Sequence, residues 1–359
     1  MVRNKYFFLN ILITTLFLLL CRSCCFFSQQ CGTTEQQESL SYFQMRCDTV
    51  YIDRNEWHEG TDFSLLNSLC RYNGNYILDF DKELAMLSGN LKSLNPFPNP
   101  EFFERDEELF VRNDSLMITS FDKDHNRFQY YNPKRKQWEY FILKRDESHK
   151  FFDEIYEDDE YKVFHIVQSE GMGYLIFERK SIGNKKIFFS SSFSRLFEHK
   201  SVYCQLGFRS ITFIDPQNGV DYDSALHYEL FERKPYNIDN VKVLAQRKHP
   251  NQDIIQMKEW SLNDGDTTLC SSWVYNDSIF VLANASKETF IAKLQGDSLQ
   301  RVFNFDFKLE IQNLARYGFG RSDSKSYILL PFCLAKNNGK YQSGIIEIDG
   351  YDIHLIFLD

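Results

Sequence analysis

The sequence predicts an all-β fold, a β-propeller of six or seven blades, and three observations carry that expectation. From about Ser41 onward, short apolar runs recur between turn signals, and no amphipathic helical period persists beyond about three turns. Aromatic residues make up 16% of the chain, with 34 Phe and 20 Tyr, and such side chains suit half-buried pleated surfaces. A seven-residue unit also recurs without gaps, as Tyr72-Asn-Gly-Asn-Tyr-Ile-Leu78, Arg112-Asn-Asp-Ser-Leu-Met-Ile118 and Tyr275-Asn-Asp-Ser-Ile-Phe-Val281.

Each copy of the unit reads as a turn followed by a strand. The last two continue alike, with strands at Phe128 and Phe290 and a third at Trp138 or Leu299, so each repeat is a small antiparallel meander. Weaker echoes stand at Gly171-Met-Gly-Tyr-Leu-Ile-Phe177 and Ser324-Lys-Ser-Tyr-Ile-Leu-Leu330. Apart from the longer interval between Gly171 and Tyr275, the anchors fall roughly 40 to 70 residues apart, near the length of a four-stranded blade with insertions. A lone meander cannot bury both faces of its sheet; packing blades around an axis does so and leaves only short edges. Two β-sandwich domains are the architectural alternative.

Taken in order, strands are expected at Thr49-Ile52, Tyr76-Phe80, Leu116-Ser120, Phe128-Tyr131, Trp138-Leu143, Tyr174-Glu178, Ile187-Ser190, Ile211-Ile214, Ile279-Leu282, Phe290-Leu294, Tyr327-Leu330 and Gly344-Ile348. Asn73-Gly74, Asn218-Gly219, Asp264-Gly265, Asn338-Gly339 and Asp349-Gly350 supply the positive φ angles that tight hairpins need. The segment Thr49-Val-Tyr-Ile52 is expected to close the ring against Ile345-Ile348 or Ile353-Phe357.

The N-terminus has the shape of an export signal. Arg3 and Lys5 precede an almost wholly apolar run from Tyr6 to Leu20, which Arg22 cuts short of the ~20 residues a spanning helix wants. The expected organisation is a signal peptide over residues 1–24, a polar tether over 25–40 and a propeller over 41–359. Leu20-Cys21-Arg22-Ser23-Cys24 resembles a bacterial lipoprotein signal, with Ser23 as the small residue before an acylated Cys24; Cys21 and Arg22 depart from the usual pattern. A lipid there anchors a protein to a membrane without spanning it.

Signal, repeat starts Asn-Asp-Ser-Leu116 and Asn-Asp-Ser-Ile279, and chain length together resemble the six-bladed, TolB-like propeller lipoproteins of Bacteroidetes. The resemblance implies a fold rather than an activity, and it brings no catalytic residue. In the same setting, Asp48-Thr-Val, Asp114-Ser-Leu, Asp223-Ser-Ala, Asp277-Ser-Ile and Asp297-Ser-Leu resemble an O-glycosylation sequence, but each also reads as a turn entering a strand.

Composition and motifs narrow the function classes. The formal charge is −9 and no basic stripe tracks a phosphate backbone, which argues against nucleic acid. Of nine cysteines, Cys47, Cys70, Cys204, Cys270 and Cys333 lie far apart in the body, without metal-knuckle spacing, and read as buried thiols. The eight histidines form no i, i+4 pair, and no metal or other cofactor is expected. Asp122-Lys-Asp124-His-Asn126 begins like a calcium loop but has Arg127 and Pro133 where Gly and Glu are needed, so a hairpin turn explains it better. Lys134-Arg135-Lys136 reads as a charged hairpin crown. Neither a G-x-S-x-G elbow nor a P-loop or dinucleotide fingerprint is present.

The acidic run Asp153, Glu154, Glu157, Asp158, Asp159 and Glu160 is the candidate partner-binding feature, with a solvated insertion between blades as the plainer reading. The expectation is therefore a non-catalytic, membrane-tethered binding or scaffold protein of the cell envelope, its partner another envelope protein or a glycan. An envelope hydrolase acting on glycan or peptide is the alternative, and a toxin inhibitor or immunity protein a weaker one.

Overall fold

The computed structural model describes residues 42–53, 57, 62–80, 83–100, 109–112, 114–122, 125–141, 153–169, 172–191, 193–207, 211–222, 267–296, 298–311, 326–336 and 341–359. The expected signal, the tether and Cys24 lie outside these residues.

The chain enters through β1 (Gln44–Val50). The first blade is β2 (Ser68–Tyr72), β3 (Asn75–Asp79), β4 (Leu84–Leu87) and β5 (Leu94–Phe97). The second is β6 (Leu109–Arg112), β7 (Ser115–Asp122), β8 (His125–Asn132) and β9 (Gln137–Phe141). The third holds β10 (Asp153–Glu157), β11 (Tyr161–Ser169), β12 (Met172–Arg179) and β13 (Lys185–Ser191). The fourth holds β14 (Phe193–His199), β15 (Val202–Gly207) and β16 (Ile211–Ile214), after which β17 (Val220–Asp221) returns to the edge of β13. The fifth is β18 (Thr268–Tyr275), β19 (Ser278–Asn284), β20 (Thr289–Gln295) and β21 (Ser298–Asn304). The sixth is β22 (Glu310–Ile311), β23 (Tyr327–Ala335), β24 (Tyr341–Asp349) and β25 (Asp352–Leu358), with β1 laid beside β25. Six small sheets in chain order make a six-bladed β-propeller, not two sandwiches.

The recurring unit is the hairpin between the first two strands of a blade. Its copies share one register, Tyr72 opposite Asn75, Arg112 opposite Ser115 and Tyr275 opposite Ser278, each across a two-residue turn. Positive φ angles at Asn73 (49°), Gly74 (77°), Asn276 (46°) and Asp277 (58°) give these turns the twist that matches the flanking strands. The fourth blade repeats the geometry without the sequence signal, because Lys200 (53°) and Ser201 (66°) take the same conformation between His199 and Val202.

Asn218-Gly219 is a correction. Instead of a tight hairpin, Pro216–Asn218 forms a 3-10 turn capped by the Asp215 carboxylate, and Gly219 has an extended φ of −70°. Glycine is needed there for space, since a Cβ would come within 2.5 Å of the Phe188 ring. Asp264-Gly265 and Asn338-Gly339 lie outside the described residues. The Asp122-to-His125 hairpin and the crown at Lys134-Arg135-Lys136 form as expected, the latter with the Asn132 side chain accepting from the amides of Lys134 and Arg135.

The core is a ring of interfaces between blades. Leu69, Leu78, Phe80, Ile345 and Ile356 fill the seam of the sixth and first blades; Ile77, Leu84, Leu116 and Ile118 fill that of the first and second. Val163, Phe177, Leu196 and Tyr203 pack between the third and fourth, and Leu206, Val281, Phe290 and Ala292 between the fourth and fifth. Trp273, Phe280, Phe332 and Ile346 join the fifth to the sixth. Each fully buried Leu, Ile, Val or Phe among them contributes about 1.5–3 kcal/mol through removal from water.

β1 closes the ring, as expected, but as a parallel strand on β25 spanning 44–50 rather than 49–52. The strand starts earlier than its apolar residues indicate, because Gln44, Arg46 and Asp48 are polar and exposed and the ladder, not an apolar face, holds most of it. Phe43 anchors its start, edge-on to Trp273, Phe280 and Tyr351. At its end the Asp359 amide donates to the Val50 carbonyl and the Ile52 amide to the Asp359 carbonyl.

Candidate functional site

Strand β24 is buried continuously from Ser343 to Ile348, and Glu347 sits within that apolar run. The ladder places Glu347 opposite Leu329 of β23 and His354 of β25, and His354 opposite Arg46 of β1. Tyr327 and Asp48 lie two residues along on the same faces. From the first blade, Arg71 and Tyr76, themselves cross-strand partners, point into the same seam.

The geometry is convergent. Glu347 accepts from Arg71 Nη1 at 2.6 Å, Tyr76 Oη at 2.7 Å and Tyr327 Oη at 2.9 Å. His354 Nε2 lies 2.7 Å from Asp48 Oδ2, and its Nδ1 lies 2.9 Å from Arg46 Nη2 and 3.5 Å from Glu347 Oε2. Burial by itself raises the Glu347 carboxyl, but the bonds to His354, Tyr76 and Tyr327 and the Arg71 charge outweigh it and hold the group at about 2. Burial first, and then Glu347, pushes both phenols well above the ordinary tyrosine range. A carboxylate held ionised far below neutral pH, with oxygens that already accept three donors, is no general base poised near neutrality. The cluster fastens the sixth blade to the first.

A second buried charge, Arg195, touches two other blades. Arg195 of β14 donates to the Ser272 carbonyl of β18 at 2.6 Å and to the Tyr327 carbonyl of β23 at 3.1 Å. One side chain thus reaches from the fourth blade to the fifth and sixth. Burial lowers its pKa to about 10, so the guanidinium stays charged at neutral pH. His165 of β11, likewise buried, is lowered to about 4 and is neutral there.

The acidic run is part of a blade and not a loop between blades. Asp153–Glu157 is strand β10, the first strand of the third blade, and residues 158–160 turn it into β11. Asp158 Oδ1 accepts from the amides of Glu160 and Tyr161, and its Oδ2 accepts from Tyr203 Oη at 2.5 Å. Glu157 pairs with Lys180 at 2.7 Å, and Glu160 with Arg179 at 2.9 Å. Asp159 is exposed at the turn. The run therefore divides: Asp158 holds its own hairpin and the fourth blade, while Glu157, Asp159 and Glu160 form a charged rim.

Of the body cysteines, none is in a disulfide: Cys70, Cys204, Cys270 and Cys333 are buried, whereas Cys47 is exposed on β1. Among the described residues no group of three or more His, Cys, Asp and Glu is placed to hold a metal ion. Also among them, no helix is long and apolar enough to cross a membrane.

Glu347, His354, Arg71 and Arg195 were not singled out from sequence. A signal did exist for two of them: Glu347 interrupts Ile345-Ile-Glu-Ile348, and His354 interrupts Ile353-His-Leu-Ile-Phe357. A charge inside an otherwise apolar strand must find a partner on the next sheet.

No family model matches the sequence, and no curated protein matches it. Solved structures similar to this chain include the AfRom2 CNH domain, at 10% identity and a TM-score of 0.35, covering 81% of this chain and 84% of that one. The extracellular domain of a hybrid two-component system from B. thetaiotaomicron matches at 11% identity and a TM-score of 0.32, over 79% of this chain and 33% of that one. A prolyl endopeptidase matches at 9% identity and a TM-score of 0.36, over 82% and 62%. At such identities and scores the likeness carries nothing about activity.

Proposed function

We propose that this propeller is a non-catalytic binding or scaffold protein of the cell envelope, tethered by a lipid on Cys24 in the manner of the TolB-like propeller lipoproteins it resembles. A β-propeller suits such a role, because it holds many hairpin loops on a rigid ring. The observation that carries the reading is the engagement of Glu347: the carboxylate that accepts from Arg71, Tyr76 and Tyr327 is committed to ring closure. Buried charge that fastens blades leaves recognition to the rim, where Glu157, Asp159 and Glu160 suit a basic partner surface. The tether rests on the apolar run Tyr6 to Leu20 and the cysteines behind it.

The test uses the full chain in a bacterial host fed labelled palmitate, followed by affinity capture from envelope extracts. Label that disappears with Cys24→Ala, and a captured envelope protein lost when Glu157, Asp159 and Glu160 are neutralised together, are the expected results. An unlabelled cytoplasmic product rejects the tether, and turnover of a glycan or peptide by the purified chain rejects the non-catalytic reading.

A further inference from the structure

We infer that His354 is a proton-operated latch on β1: its neutral ring holds Arg46, and its protonated ring releases Arg46 and takes Glu347 instead. The geometry admits one assignment for the neutral ring. Arg46 is donor-only, so at 2.9 Å the Nδ1 it approaches is the bare nitrogen, and the single ring proton sits on Nε2, which donates to Asp48 at 2.7 Å. In that state Glu347 Oε2, 3.5 Å from Nδ1, accepts nothing from the ring, and the His354 bond that helps hold Glu347 ionised belongs to the protonated ring.

A proton added to the ring can go only to Nδ1. That turns an acceptor into a donor facing the Arg46 guanidinium, so this bond is lost and two positive charges confront each other. The new N–H has an acceptor on its other side, Glu347. The ring then bridges two carboxylates, Asp48 of β1 and Glu347 of β24. Among the described residues, the charged and titratable groups that face the switch are Arg46 and Asp48 from β1, Glu347 from β24, and, around Glu347, Arg71 from β2, Tyr76 from β3 and Tyr327 from β23. The phenols stay protonated and Arg71 stays charged throughout, so His354 is the member whose state changes.

The consequence falls on the strand that leads from the N-terminal segment into the ring. In one state Arg46 is pinned against the seam, and in the other it is a free cation on an exposed strand edge. A pH step thereby changes the charge that β1 shows to whatever lies beside it, without unfolding the ladder.

Nitrogen-15 NMR of the imidazoles in the full chain, titrated with pH, tests this. At the alkaline end the His354 ring carries its proton on Nε2, and the Arg46 side-chain signals move with the same midpoint as His354. Arg46→Ala, at an exposed position, removes a cation that opposes protonation and raises the midpoint by about half a pH unit or more. Asp48→Asn, also exposed, lowers it. A neutral ring protonated on Nδ1, an Arg46 signal indifferent to the His354 titration, or an unchanged midpoint in Arg46→Ala overturns the latch.

Discussion

Two carboxylates, Glu347 and Asp158, each accept a tyrosine hydroxyl across a blade seam, yet they do so in different surroundings. Glu347 sits in an apolar strand and takes side-chain donors from two blades. Asp158 sits at an exposed turn, where two of its donors are backbone amides of its own hairpin. The first is a long-range fastening, the second a local cap that also touches a neighbour. A carboxylate's contribution is set less by how many bonds it makes than by whether its partners have water as an alternative.

The comparison breaks if both residues respond alike to truncation. Glu347→Ala leaves Arg71, Tyr76 and Tyr327 around an emptied acceptor site and is expected to cost about 3–5 kcal/mol in a denaturant titration. Asp158→Ala is expected to cost about 1–2 kcal/mol, since water replaces most of what it accepts. Equal losses would show that the seam of the sixth and first blades is no tighter than the third-blade turn.

Acid distinguishes the two sites next. Because the folded-state pKa of Glu347 is depressed from 4.5 to about 2, its contribution is fully present above about pH 4.5 and is lost as pH falls toward 2. Stability measured across that window should slope downward in the parent chain and flatten in Glu347→Gln. A slope unchanged by that substitution assigns the acid sensitivity elsewhere.

Smaller effects sharpen the picture. Tyr76→Phe removes a donor to a buried ion and is expected to cost about 1.5–3 kcal/mol, against about 1 kcal/mol for Tyr203→Phe at the wetter Asp158. Chemical denaturation of the two variants side by side measures the difference. Asp159→Asn, at the exposed tip, should change stability by less than about 0.5 kcal/mol, while still weakening capture of a basic partner.

How legible these features were follows from range. The hairpins at Asn73-Gly74 and Asn276-Asp277 were readable because their positive φ angles are written in residues that favour them. The equivalent hairpin at Lys200-Ser201 was not, because there the strand pairing on either side imposes the conformation. Strand β10 escaped notice since Asp153, Glu154 and Glu157 give it the composition of a loop, whereas its pairing with β11 makes it a strand. The closing strand is legible only from five residues past its start, because Thr49 and Val50 are β-branched and favour a strand while Arg46 and Asp48 do not. The Glu347 cluster was the least visible: Arg71 and Tyr76 lie 276 and 271 residues away from it, and only the closed ring brings them together. The acidic run had the opposite fault, conspicuous in sequence yet partly consumed by hairpin and lysine contacts.

The parallel docking of β1 on β25 also has a mechanical meaning. A pull on Tyr42 directed along the strand acts on every rung from Gln44–Asp352 to Val50–Leu358 at the same time, in shear. Phe43, wedged among Trp273, Phe280 and Tyr351, must be withdrawn before the first rung can slip. Force arriving through the N-terminal segment is therefore passed into the fifth and sixth blades together and spread around the ring, where a single antiparallel edge strand pulled from its end would open one rung after another.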